Sequence, residues 1–136
     1  MSAACVDDVP VGCVVVSPDG TILGRGRNRR EQAGRATAHA EVEAIDQACQ
    51  VLGTWRLAGC TLYVTLEPCP MCAGAIINAR IGTVRYGARE EKSGCCGSVL
   101  NLFEERFNHH PKLYGGLLPG ECQRVLEEFF QNLREI

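Results

Sequence analysis

At 136 residues, 46% apolar and 22% charged, the chain has the size of one domain, residues 1–136, with enough apolar material for a buried core. No apolar run approaches the roughly 20 residues of a membrane span, and MSAACVDDVPVG carries two aspartates and no basic residue, which argues against a secretory signal. The net charge of −2 does not favour a polyanion partner as a whole, yet Arg25 to Lys92 holds ten basic against seven acidic residues.

Without a leader, the nine cysteines are expected to stay reduced in a cytoplasmic setting. Cys5, Cys13, Cys49 and Cys60 lie among apolar or small neighbours and read as small buried hydrophobes. Cys69 and Cys72 differ by their spacing. Cys95–Cys96 stays open.

In chain order, VGCVVVS (11–17) and TILGRGR (21–27) are β-rich runs around a PDG turn and predict a hairpin. The aperiodic NRREQAGRAT reads as a loop. From Ala38, the apolar spacing Val42, Ile45, Cys49, Leu52 predicts a helix that ends at Gly53 and buries that stripe. CTLYVTL (60–66) reads as a third strand, buried on both faces. PCPMCAGAIINARI follows as a helix starting near Pro70, where proline suits the first turn. GTVRYG is a fourth strand, REEKSGCCGS a loop, VLNLFEERF a short helix, and PKLYGG a candidate fifth strand. The last helix lies in PGECQRVLEEFFQNLREI, with Val125, Leu126, Phe129, Phe130 and Leu133 as its stripe. Strands alternating with helices predict a layered α/β domain.

The chemistry concentrates in TAHAE (37–41) and EPCPMC (67–72). Zinc takes thiolate and imidazole ligands, and its catalytic sites supply three of them with a water in the fourth position. Cys69 and Cys72 present two sulfurs at a helix start, where the positive dipole end favours thiolates. His39 is a third candidate ligand, and Glu41 the carboxylate for moving a water's proton. Taken alone, a Cys-x-x-Cys also suits a redox pair or half a structural site, and a histidine at a helix start also suits a cap. The conjunction is far more specific than its parts. The five arginines of RGRNRREQAGR suit either a solvated face or a phosphate-contacting rim.

With VPVG, GRGRN, TAHAE, TLYVTLEPCPMCAGA, RIGTVRYGA, KSGCCGS and FF, the chain resembles the cytidine deaminase-like superfamily along nearly its whole length. Within it, the sequence is most similar to the bacterial tRNA-specific adenosine deaminases (the TadA family). The resemblance implies a three-layer α/β/α fold around a central mixed sheet of about five strands. It implies one Zn²⁺ per subunit on His39, Cys69 and Cys72, with Glu41 as proton shuttle. It further implies that a wobble adenosine in a tRNA anticodon stem-loop is flipped out and hydrolysed to inosine, with loss of ammonia. Single-stranded nucleic acid is a related partner class, a homodimer the expected assembly, and a membrane no part of it. Asn28 matches the substrate-contacting amide, the backbone of Ala40 meets the purine, and Pro10, Val11 and Pro68 line the pocket. Arg27, Arg29, Arg30, Lys92, Phe129 and Phe130 are candidates for RNA contact.

Three departures stand out. Only MSAACVDD precedes VPVG where the family carries a helix, which predicts that part of the Val14–Val16 run is exposed. Glu90 replaces the aspartate placed near a neighbouring nucleotide's sugar. The chain ends at LREI where relatives often carry a basic extension. Alternative readings are a deaminase of a free base, nucleoside or nucleotide, and a non-catalytic zinc-bearing subunit. The first needs no arginine-rich rim, and the second is expected to lack the glutamate at position 41.

Overall fold

The computed structural model describes residues 11–29, 33–88, 92–105, 107 and 109–115. The N-terminal segment 1–10 and the expected last helix lie outside the described residues. Five strands form one mixed sheet in the order β2-β1-β3-β4-β5. The expected hairpin is β1 (Gly12–Val16) against β2 (Ile22–Arg27), turned by Gly20 at φ 89° and closed by the Asp19 carboxylate accepting from Thr21 N at 3.0 Å. β1 also pairs antiparallel with β3 (Thr61–Leu66). From there β3, β4 (Thr83–Ala88) and β5 (Lys112–Tyr114) run parallel. Helix α1 (Ala40–Leu52) joins β2 to β3, and α2 (Pro70–Asn78) makes the parallel crossover from β3 to β4.

Register decides which side chains share a face. Cys13 and Val15 lie level with Gly26 and Gly24 of β2 and with Val64 and Leu62 of β3, which in turn match Tyr86 and Val84 of β4. The side chains of this row join Ala40, Ala44, Ile45 and Ala48 of α1 and Ala73, Ile76 and Ile77 of α2 in one buried cluster. Both helices therefore cover the same face of the sheet. No helix among the described residues is long and apolar enough to cross a membrane.

The buried side of α1 differs from the apolar spacing. Of Val42, Ile45, Cys49 and Leu52 only Ile45 is buried, and Leu52 is 45% exposed; the helix instead buries Ala40, Glu41, Ala44 and Ala48. The cause is in β2. A Cβ on Gly24 would strike the carbonyl oxygen of Ala44, and one on Gly26 that of Ala40. Helix backbone rests on strand backbone, so only alanines fit the contact.

Other expectations also need correction. The valine run is buried, with Val14 and Val15 at 0% and Val16 at 7% exposure: β1 is an inner strand between β2 and β3, and both its faces are covered. β3 is not buried on both faces: Leu62 and Val64 are buried, whereas Thr61, Tyr63 and Thr65 are half-exposed, since its second face is partly polar. Among the described residues of VLNLFEERF there is only one 3₁₀ turn, Leu102–Glu104, capped by the Asn101 side chain and anchored by Phe103; Glu104 and Glu105 after it face solvent. α2 stops at Asn78, and Arg80 at φ 62° turns the chain toward β4.

The backbone contact yields a stability test. Gly26→Ala should cost at least the 1–3 kcal/mol or so of an overpacked core, lowering Tm by roughly 2–8 °C per kcal/mol. Gly82→Ala, whose Cβ meets nothing nearer than 3.5 Å, should melt close to the native chain. Scanning calorimetry of the two variants makes the comparison.

Candidate metal centre and active site

The two helices begin side by side. His39 is the residue before α1 and Cys69 the residue before α2, both with extended backbone, and neither side chain caps its own helix. The capping alternative for His39 therefore fails. Its Nδ1 instead lies 3.6 Å from the Sγ of Cys69 and 3.6 Å from the Sγ of Cys72. All three donor atoms fall within 4.8 Å of one another. Tetrahedral zinc, with bonds of about 2.3 Å to sulfur and about 2.0 Å to nitrogen, holds such a pair about 3.6 Å apart. The residues fit the ion in both donor type and spacing.

Electrostatics supports a cation at this point. The hydrogen bond from the Cys72 thiol holds Cys69 down to about 5, while the same bond and burial push Cys72 far above the usual thiol range. The two sulfurs thus share one proton, and a divalent cation between them is what lets both ionise. Glu41, 4% exposed, lies within hydrogen-bond reach of Cys72. Burial raises its carboxyl to about 7, against the lowering effect of its backbone N–H. A buried carboxyl in contact with the three clustered side chains is a candidate for exchanging protons.

Several of the remaining residues can be placed. Asn28 follows β2, is 8% exposed, and donates its backbone N–H to Val11 O at 3.1 Å. Val11 is half-buried, Ala40 opens α1 fully buried, and the Pro68 side chain is fully buried directly before Cys69. Arg29 is tied by its N–H to Ala38 O at 2.8 Å and pairs with Glu43 at 3.0 Å; Arg27 and Lys92 are exposed. Pro10, Arg30, Glu90, Phe129 and Phe130 lie outside the described residues.

Sequence reasoning missed Glu67. Buried at 3% exposure, its carboxylate accepts the backbone N–H of Cys96 at 2.8 Å and of Ser98 at 3.1 Å, as well as the Ser98 hydroxyl. Next to it, Cys95 N donates to Pro68 O at 2.9 Å. The segment 95–98 is thereby clamped to the strand end that delivers Cys69. The available signal was an acidic residue in EPC together with the glycine-flanked GCCGS, whose free N–H groups need an acceptor. Cys13 and Cys60 are buried as expected, Cys49 is half-buried, and the open pair Cys95–Cys96 is buried. Cys5 lies outside the described residues.

Residues 1–134 match the family described as MafB19-like deaminase. Sheet order, crossover and donor set accordingly define a deaminase domain of the cytidine deaminase-like fold. The tRNA-specific adenosine deaminase of Bacillus subtilis (strain 168) is 52% identical over 129 residues, covering 94% of this chain and 80% of that protein. A tRNA(Ile)-lysidine synthase of Deinococcus radiodurans is 48% identical over 132 residues, 97% of this chain but only 23% of that protein's length. A solved structure from studies of A-to-I editing by tRNA:A34 deaminases at the wobble position of transfer RNA superposes with a TM-score of 0.78 at 46% identity, over 84% of this chain and 88% of that one. The chain belongs to the tRNA-specific adenosine deaminase family.

Metal analysis separates ligand from shuttle. Cys72→Ala should purify without zinc, because two ligands do not hold a tetrahedral site. Glu41→Ala should retain one zinc per chain and the native fold.

Proposed function

We propose that the chain is a zinc-dependent hydrolytic deaminase that converts the wobble adenosine of a tRNA anticodon to inosine and releases ammonia. The observation that carries this reading is the zinc-spaced donor set of His39, Cys69 and Cys72 with Glu41 beside it, in a chain 52% identical to a tRNA-specific adenosine deaminase. Zinc held by these three side chains supplies Lewis-acid activation of water at neutral pH.

The chain's own residues do the rest. Glu41 takes a proton as the water oxygen adds to C6 of the purine and passes it to the ring nitrogen. It then carries a second proton to the amino group that leaves as ammonia. Burial makes the protonated carboxyl accessible, as a group that must both accept and donate in one cycle requires. Asn28, whose backbone N–H is bonded to Val11 O just after β2, fixes the flipped nucleoside. The Ala40 backbone, Pro10, Val11 and Pro68 form the wall, and Glu90 meets a flanking nucleotide. Arg27, Arg29, Arg30, Lys92, Phe129 and Phe130 contact RNA. Residues 1–136 form one deaminase domain, and the enzyme is a cytoplasmic homodimer.

The test is inosine formation in a synthetic anticodon stem-loop, with free adenosine, cytidine and guanine as competing substrates. Stem-loop turnover should be lost with a zinc chelator and should fall by at least about 10²–10⁴ in Glu41→Ala. Turnover of a free base or nucleoside without turnover of the stem-loop would replace this reading with a small-substrate deaminase. A zinc-loaded protein inactive on every substrate would indicate a binding subunit.

A further inference from the structure

Edge strand β2 and helix α1 enclose a groove of about 350 Å³ lined by Arg25, Gly26, Arg27, Arg29, Glu43 and Gln47. One end is bonded to the backbone that leads into α1. Arg29 N–H donates to the carbonyl of Ala38, the neighbour of ligand His39, and Glu43 N–H donates to the carbonyl of His39 itself. Along β2 the lining runs from Arg27 back to Arg25, two residues or roughly 7 Å at about 3.3 Å per residue.

Charge in the groove is unbalanced. Glu43, its one carboxylate, already pairs with both Arg29 at 3.0 Å and Arg35 at 3.1 Å. Arg25 and Arg27 meet no carboxylate among the described residues. The buried Nε of Arg25 has no hydrogen-bond partner among them either. Gln47 accepts the backbone N–H of Arg25 at 2.7 Å, so the strand edge at that residue is closed to pairing with another strand. What remains is a pair of guanidinium groups on the edge strand that meet no carboxylate among the described residues, a donor set that matches phosphate oxygens.

We propose that this groove is a phosphodiester subsite: the RNA strand leaving the flipped nucleotide passes Asn28 and seats its next phosphates on Arg27 and Arg25. The proposal rests on the RNA-deaminase reading for its ligand, and it adds a defined track with Arg25 as anchor. Phosphate oxygens also belong to free phosphate, which the experiment tells apart.

The experiment measures anisotropy of a labelled anticodon stem-loop already bearing inosine at the wobble position, bound to zinc-loaded protein over a salt series. Arg25→Gln should weaken binding about 3–10-fold and flatten the dependence of log Kd on log salt by about 0.7, the loss of one single-strand phosphate contact. Arg25→Lys should keep the slope. Gln47→Glu retains the acceptor for Arg25 N–H while adding a negative charge, so it should weaken binding even if Arg25→Gln folds poorly. Arg56→Gln, at an exposed arginine stacked on Trp55 beyond the far end of α1, should bind as the native chain does. Native affinity and slope in both Arg25→Gln and Gln47→Glu would overturn the proposal. Displacement of the RNA by millimolar inorganic phosphate beyond a chloride control of equal ionic strength would also overturn it, in favour of a free-phosphate site. Groove-dependent binding with no inosine formed from an adenosine stem-loop would instead uphold the groove and overturn the deaminase reading.

Discussion

The structure depends on a contact between two backbones. The carbonyl oxygens of Ala40 and Ala44 occupy the space that side chains at positions 24 and 26 would take, so α1 lies directly on β2. A helix held that closely has little freedom to slide or roll. Its first residues are thereby fixed in height above the sheet, and His39 and Glu41 with them. The second helix is fixed differently: β3 ends at Leu66, Glu67 anchors the strand end to the 95–98 segment, and Cys69 follows at the start of α2. Two independently anchored helix starts then hold three ligand atoms at the spacing of a zinc ion.

Two buried glutamates, 26 positions apart, show how environment separates structure from chemistry. Glu67 is surrounded by donors, two backbone N–H groups and a hydroxyl, and acts as a clamp. Glu41 sits among weak partners, its own backbone N–H and the Cys72 thiol, and burial leaves its carboxyl near neutrality. A satisfied carboxylate organises the fold; an undersatisfied one beside a cation can exchange protons.

Much of this was legible in the sequence, for reasons that are local. Strands announce themselves through β-branched runs and turns, so the hairpin and β3 to β5 fell where PDG, CTLYVTL, GTVRYG and PKLYGG placed them. The clustering of His39, Cys69 and Cys72 was legible because zinc demands particular side chains at particular spacings. The buried face of α1 was not, since hydrophobicity cannot register a contact made by backbone; the glycines of GRGR were its only trace. The clamp on Glu67 escaped because its partners lie 29 and 31 residues away. The exposure expected for Val14 to Val16 failed because it was inferred from the chain's beginning, whereas both faces of β1 are covered. The substrate came from resemblance and relatives, since no distance in the site distinguishes RNA from a free nucleoside.

The central claim is that the metal site has three protein ligands and stays open for chemistry. X-ray absorption at the zinc edge of the loaded protein tests it most directly. The account predicts two sulfur neighbours at about 2.3 Å and two nitrogen or oxygen neighbours at about 2.0 Å, one from His39 and one from solvent. A shell of three or four sulfurs, with Cys95 or Cys96 recruited to the ion, would mean a closed structural site and would contradict it.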